Sequence, residues 1–188
     1  MGLWIFLLII LVIIIFGIFI RNKIVLHFNA TKRAWADVAT YERQKLKVLD
    51  ELAPMVEQYA SFEKGTLEKV TELRQSILNL NVDHTDIAQL QRIENLNKEL
   101  MRSLNVVVDN YPELKANEIY LRMMNEIDEQ NDNVSAAITI FNRNVELFNN
   151  HIEVFPNNMI NTLTLGKKSI RPFRDHAAAQ SFDYRPNF

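Results

Sequence analysis

The residues from Leu3 to Ile20 form an unbroken run of apolar side chains and one glycine, closed by the basic residues Arg21 and Lys23. A bilayer core is about 30 Å thick, and a helix that rises about 1.5 Å per residue needs about 20 apolar residues to cross it. The run nearly meets this length, the basic side chains can snorkel toward the lipid phosphates, and Trp4 suits the opposite interface. The sequence therefore predicts a membrane anchor over residues 3–23, after a two-residue tail.

Two other interpretations of the apolar run are weaker. A cleaved signal peptide has a basic leading region, a shorter apolar core and a small-residue cleavage site. No basic residue precedes this run, and no Ala-x-Ala site follows it. The core helix of a soluble protein is the other alternative, and a run that is apolar on every side argues against it. We therefore expect the anchor to be retained.

The charges beside the anchor predict its orientation. Arg21, Lys23, Lys32 and Arg33 follow the run, and no Lys or Arg precedes it. Basic residues near a span favour the cytoplasmic side of the membrane. We therefore expect a single-pass protein whose remaining residues lie on the cytoplasmic side.

Composition excludes several classes of function. The chain has no cysteine, so disulfides, thiolate zinc sites and cysteine nucleophiles are excluded. Its formal net charge is −2, and no basic stripe suggests binding to nucleic acid. After the anchor about 165 residues remain, enough for one domain with its own core. Four glycines and five prolines in 188 residues favour long helices.

Helix breakers divide the chain into long helices. No glycine or proline lies between Ile18 and Ala53, so the anchor should continue directly into the first helix of the domain. Such a helix would hold the domain away from the bilayer like a stalk. Pro54 predicts a kink or a helix boundary near residues 51–53. A second helix is expected over residues 57–80, a turn over 79–86, and a third helix capped by Asp83 or Thr85.

The last long helix carries the most regular pattern in the chain. Its apolar positions alternate steps of four and three residues, which is typical of a coiled-coil heptad. One polar residue, Asn131, interrupts this seam; it either fixes the register of packing or faces a water molecule. The predicted seam consists of Ile127, Asn131, Val134, Ile138, Phe141, Val145, Phe148, Ile152 and Phe155.

A short block between the third and the last helix also stands out. Tyr111 and Pro112 can end one helix, because proline disfavours helical geometry at the preceding residue. Leu114 can then be buried in the bundle, and Asn117 can cap the next helix. The alternative is a docking surface for a partner, formed by polar residues of this block that include Lys115.

The segment after Pro156 loses the helical period. We expect an aromatic and basic tail over residues 157–188, following a domain over residues 24–156. The tail is either flexible or held by its aromatic residues against the domain or another subunit.

No pattern of catalytic or metal-binding residues is present. The four histidines are scattered, and the Glu-x-x-His motif of di-iron bundles is absent. Phosphate-binding loops, dinucleotide turns and serine elbows are absent as well. We therefore predict no cofactor, no metal, no small-molecule substrate and no enzymatic activity.

Four segments stand in a recognisable order along the chain: residues 28–35, 59–70, 111–117 and 155–158. Together they resemble proteins of the LemA family. The resemblance implies a bacterial membrane protein with one N-terminal span and a domain of long antiparallel helices, and the family has no established catalytic residues to carry over. One departure is the basic segment 171–174, where relatives often have an acidic, phenylalanine-rich stretch.

Two functions agree with these features. The first is a membrane-anchored scaffold in the bacterial plasma membrane that assembles with copies of itself. The second is an accessory factor for membrane-protein quality control or envelope processing, which binds a different membrane protein. Both require apolar surface beyond that used inside the bundle. The bilayer is a partner in either case, and an all-α fold is expected for both.

Overall fold

The computed structural model describes residues 1–59 and 64–174, although the side chains of residues 58, 59, 64 and 115 are left aside. Every regular element within these ranges is a helix. The helices are α1 (Gly2–Tyr59), α2 (Lys64–Leu78), α3 (Ile87–Asn110), α4 (Pro112–Lys115), α5 (Glu118–Glu153) and α6 (Asn157–Thr164). The all-α class predicted from the sequence is confirmed.

Helix α1 joins the anchor to the domain without interruption. It is 58 residues long and contains Pro54. The prediction of a helix boundary near residues 51–53 is therefore wrong. Proline removes one backbone hydrogen bond, but Leu52 and Val56 on either side of it are fully buried. Packing of this apolar face stabilises the helix across the lost hydrogen bond.

The chain divides into two compact units; the predicted bounds of the anchor, the domain and the tail, at residues 23 and 24 and at 156 and 157, stay a prediction. The first unit comprises Met1–Ala34 and Ile140–Pro172, so it contains the anchor, the second part of α5 and α6. The second unit comprises Trp35–Thr139 and, of the described tail residues, Phe173 and Arg174. Helices α1 and α5 each contribute to both units.

Cross-helix contacts in the second unit place α1 and α2 antiparallel. Arg43 in α1 donates a hydrogen bond to the carbonyl of Leu80, just after the end of α2, at 3.2 Å. Asp50, further along α1, forms an ion pair with Arg74, which lies earlier along the chain than Leu80. Residue numbers therefore fall along α2 as they rise along α1, so the two helices are antiparallel, as expected of consecutive helices in a bundle.

Helices α2 and α3 form the next antiparallel pair. Gln89, near the start of α3, donates to the carbonyl of Ser76 near the end of α2 at 2.7 Å. Lys69, earlier in α2, donates to Ser103 later in α3. Helix α3 buries one largely apolar face, from Leu90 to Val107.

The turn between α2 and α3 is fixed by polar side chains. The Asn81 side chain accepts hydrogen bonds from the backbone N–H of Asp83 at 2.9 Å. Asp86, immediately before the helix, accepts from the N–H of Gln89 at 2.9 Å and is the N-cap of α3. The prediction that Asp83 or Thr85 caps this helix is wrong, because the helix begins at Ile87 and the cap is the preceding residue.

The first unit has an apolar core in which α1 and α5 run antiparallel. The rings of Phe28 and Phe148 lie 5.5 Å apart between centroids. His27, one residue earlier in α1, meets His151, three residues later in α5, at 5.0 Å between ring centroids, so the residue numbers fall along α5 as they rise along α1. The core consists of Ile20, Ile24, Phe148 and Ile152, with Phe28, Ile160, Leu165 and Ile170 packed against it.

Part of the predicted tail is helical. Residues 157–164 form α6, so the expectation that the helical period is lost after Pro156 is wrong there. Two buried asparagines, Asn157 and Asn161, mask the amphipathic pattern of this short helix. Phe173 is buried in the second unit, and the tail aromatics Phe182, Tyr184 and Phe188 lie outside the described residues.

Candidate functional site

The predicted anchor is a bare apolar surface. Leu3 and Trp4 are 70% and 77% exposed. The charged residues that close the run, Arg21 and Lys23, are exposed, whereas Ile20 is buried. The most apolar window of α1 has a mean hydropathy of 3.5, and α1 is long and apolar enough to cross a membrane. In the part of the chain that the structure describes, Ile20 alone of the run from Leu3 to Ile20 is buried.

A buried polar cluster occupies the core of the second unit. The Lys45 ammonium nitrogen lies 2.9 Å from Oε2 of Glu42, and both side chains are almost completely buried. The same ammonium donates a hydrogen bond to Oδ1 of Asn131 at 3.2 Å. Asn97 donates to this oxygen at 3.1 Å. Helices α1, α3 and α5 are therefore joined through one amide oxygen.

This cluster shows what the single polar residue in the predicted seam does. The carbonyl oxygen of Asn131 contacts two protein donors, so the alternative in which it only faces water is wrong. A buried hydrogen-bonded polar group favours one register of packing, because any slip leaves it unsatisfied. The role of Asn131 in fixing the register stays a prediction.

The carboxylate in the cluster is held in an unfavourable setting. Burial raises the pKa of Glu42; the nearby Lys45 opposes this rise, and Glu94 adds to it. Among the described residues, Oε1 of Glu42 has no hydrogen-bond partner. The folded state therefore favours the protonated form of Glu42 relative to the unfolded chain.

The remaining residues of the predicted seam differ in burial. Ile138 is half-buried, and Phe155 is 77% exposed because α5 ends at Glu153, before the seam would reach it. Phe155 is therefore a wrong assignment to the buried seam. The buried members are Ile127, Val134, Phe141, Val145, Phe148 and Ile152.

The short block between α3 and α5, residues 111–117, separates the two helices as its sequence predicts. The N–H of Tyr111 donates to the carbonyl of Val107 at 2.9 Å, and Pro112 begins α4. Leu114 is fully buried. The side chain of Asn117 accepts from the N–H of Ile119 at 2.9 Å. The side chain of Lys115, which is part of the predicted motif, lies outside the described set.

Two asparagines of the first unit hold the segment after α6 by its backbone. Asn161 accepts from the N–H of Lys167 at 3.0 Å and donates to its carbonyl at 2.8 Å. Asn149 makes the same pair of hydrogen bonds with Ile170, at 2.9 and 2.8 Å. A side-chain amide satisfies both backbone groups in each case. The ammonium of Lys167 also lies 3.9 Å from the centroid of the Phe28 ring.

A pair of histidines lies beside these asparagines. The rings of His27 and His151 are 5.0 Å apart between centroids. Burial lowers the pKa of His151, and the charges of His27 and Lys23 lower it further. Asn157 lies 3.3 Å from Nδ1 of His151 through its amide nitrogen, an arrangement in which the neutral ring accepts a hydrogen bond. Over residues 1–59 and 64–174, no three His, Asp or Glu side chains come together as metal ligands.

A second apolar stripe lies on the outside of α5. Ile140, Leu147 and Val154 are spaced by seven residues and are 56%, 46% and 51% exposed. Ile140 and Leu147 lie about 100° around the helix from the buried seam, since each precedes a buried seam residue by one position, and Val154 immediately follows the last residue of α5. This surface, here called the outer stripe, was missed at the sequence level, because the stronger inner seam overlaps it along the same helix.

Comparison with known proteins identifies the chain at the level of family. A model of the LemA family matches residues 34–182, which is most of the chain. The Protein LemA of Metamycoplasma hominis is 29% identical over 123 residues, covering 65% of this chain and 54% of that relative. The match thus spans about half the length of the relative.

Proposed function

This chain belongs to the LemA family, and we propose that it is a non-enzymatic, single-pass membrane scaffold that assembles with further copies of itself. The observation that carries the proposal is the outer stripe, a set of exposed apolar side chains spaced by seven residues along and just after α5. The bilayer and a second copy of the chain are the proposed partners. Nucleic acid, a small-molecule substrate and a cofactor have no part in it.

Two features of the first unit support a retained anchor. The apolar side chains from Leu3 to Phe16 are all exposed, and in water this surface would be strongly unfavourable. A lipid environment removes that cost. Ile20, at the end of the run, is packed in the core of the first unit. Cleavage beyond it would remove part of this core, so the anchor is part of the folded unit.

The charge distribution supports a cytoplasmic position for the domain at the bacterial plasma membrane. Arg21, Lys23, Lys32 and Arg33 are all exposed, so each can meet anionic headgroups. Basic residues on the side where the helix leaves the bilayer favour retention of that side in the cytoplasm.

The outer stripe favours a second copy of the chain as the partner. From Ile140 to Val154, which immediately follows α5, the stripe extends over about 21 Å at a rise of about 1.5 Å per residue. Burying a half-exposed aliphatic side chain contributes about 1 kcal/mol. Burial of three such side chains from each of two copies therefore favours pairing. Copies anchored in one membrane have the same direction, which suits a parallel pair of α5 helices about a two-fold axis.

Cysteine crosslinking tests this pairing directly, because the chain has no cysteine of its own. Leu147→Cys places a thiol in the middle of the outer stripe, and Glu146→Cys places one on an exposed neighbouring position away from it. Oxidation of each variant in membranes is followed by electrophoresis without reducing agent. A disulfide requires Cα atoms within about 7 Å, which only a self-paired stripe provides.

The two variants have opposite expected results. Leu147→Cys should form a covalent dimer, and Glu146→Cys should remain a monomer. Equal crosslinking of both, or none of either, would overturn the parallel pairing. A crosslink from Leu147→Cys to a different protein would instead favour the accessory factor for membrane-protein quality control or envelope processing.

A further inference from the structure

Helix α6 lies beside the last turn of the anchor. The nearest side-chain atom to a Cβ built on Gly17 is Cδ1 of Ile160 in α6, at 3.6 Å. Ile160 also packs against the core that contains Ile20 and Ile24. Gly17 precedes the last residue of the apolar run by three positions, or about 5 Å along the helix. Helix α6 is therefore level with the end of the predicted span.

Two of the exposed side chains of α6 are large and apolar, and two of its buried side chains are polar. Met159 and Leu163 are 53% and 76% exposed, whereas Asn157 and Asn161 are buried. The buried amides are satisfied, by the carbonyl of His151 at 3.0 Å and by the backbone of Lys167. A helix that faces water has the reverse arrangement. Phe155, just before α6, adds a third large exposed apolar side chain at 77%.

The charges around α6 complement an anionic membrane surface. The first unit contains eight Lys and Arg residues and two Asp and Glu residues, although the whole chain has a net charge of −2. Lys168 and Arg171 follow α6 and are exposed, as are Arg21 and Lys23 at the end of the anchor. Basic residues flanking exposed apolar side chains are typical of segments that lie in the headgroup region of a bilayer.

We propose that Phe155, Met159 and Leu163 insert into the boundary between headgroups and acyl chains, in the leaflet through which the anchor leaves the bilayer. Helix α6 is then a second membrane contact that lies in the interface, beside the span that crosses it. The occupant of this surface is lipid, because the surface is continuous with the lipid-facing anchor at the depth of Gly17. The inference rests on the proposed membrane anchor.

Depth-dependent fluorescence quenching tests this contact in the intact chain. Single cysteines at Leu163, Asn158 and Ile10 are labelled with an environment-sensitive fluorophore. Asn158 is the matched control, since it is exposed on α6 about 140° around the helix from Leu163. Ile10 reports the middle of the anchor. The proteins are reconstituted in phosphatidylcholine and phosphatidylglycerol vesicles that carry quenchers at shallow or deep positions of the acyl chain.

Three outcomes distinguish the inference from the proposed anchor. We expect deep quenching at Ile10, and shallow quenching at Leu163 that is about threefold stronger than at Asn158. Deep quenching at Ile10 with equal, weak quenching at Leu163 and Asn158 would overturn the interfacial role of α6 and leave the anchor intact. Absence of quenching at Ile10 would overturn the anchor, and the inference with it. Far-UV circular dichroism of each labelled variant verifies that the helices are retained.

Discussion

Replacing Lys45 by methionine isolates the cost of the buried carboxylate in the second unit. The substitution keeps a long unbranched side chain and removes the ammonium that lies 2.9 Å from Glu42. The carboxylate is then buried without a cation and takes up a proton on folding. The perturbation therefore converts an ion pair into a neutral acid without creating a large cavity.

The size and the pH dependence of the effect follow from the protonation of Glu42. Its ordinary pKa is 4.5, and burial raises the pKa in the folded state. Binding a proton at pH 7 costs about 1.4 kcal/mol for each pH unit above the ordinary value, so Lys45→Met lowers the free energy of unfolding by at most about 3.5 kcal/mol. Because the folded state binds more protons than the unfolded chain, stability falls as pH rises from about 4.5 to the raised pKa. Near pH 4.5 the penalty should largely disappear.

Thermal unfolding of the intact protein in detergent micelles, followed by circular dichroism, measures this penalty. A loss of about 3 kcal/mol corresponds to a melting temperature about 6 to 12 °C lower at pH 7 for a chain of this size. Lys47→Met is the matched control, because Lys47 is exposed two residues away and should change stability by less than about 0.5 kcal/mol. Equal melting temperatures for Lys45→Met and Lys47→Met at pH 7, or a Lys45→Met penalty that persists at pH 4.5, would refute the reasoning.

Three further predictions concern the first unit. Because the folded state lowers the pKa of His151 from 6.5, the wild type should lose stability as pH falls from about 6.5 through the lowered pKa. Melting curves of His151→Gln should lack this loss, and identical pH profiles of the two proteins would contradict the prediction. Asn161→Leu leaves both backbone groups of Lys167 unpaired and should cost about 1 to 3 kcal/mol, with faster hydrogen exchange around residue 167; unchanged exchange would show that the segment is held by other contacts. Gly17→Ala should be tolerated, because the new methyl meets Ile160 at the ordinary contact distance of 3.6 Å. Gly17→Leu should lower the melting temperature by displacing α6, and equal melting temperatures of the two variants would argue against this packing.

The apolar patterns of the sequence predicted most of the fold because each long helix buries one face. The same reasoning does not find Glu42 and Lys45, because both are charged although they are buried in α1. These two residues occupy the positions between Val38 and Leu49 that continue the steps of four and three. Spacing alone identifies these positions as buried. Asn131, which accepts a hydrogen bond from Lys45, lies 86 residues further along the chain in another helix. A one-dimensional pattern does not contain that contact.

Helix α6 shows the opposite failure. Its polar residues Asn157 and Asn161 are buried and its apolar residues Met159 and Leu163 are exposed, so a pattern judged against water predicts a tail rather than a helix. The hydrogen bonds that satisfy the buried amides depend on the fold. The position of α6 beside Gly17 also depends on tertiary packing.

The mass of the intact protein, extracted into native nanodiscs with its co-purifying proteins identified, tests the scaffold account most directly. The account predicts a discrete assembly containing two or more copies of this 188-residue chain, with no second protein in stoichiometric amount. A single copy bound to one copy of a different membrane protein would contradict self-assembly and would favour the accessory role.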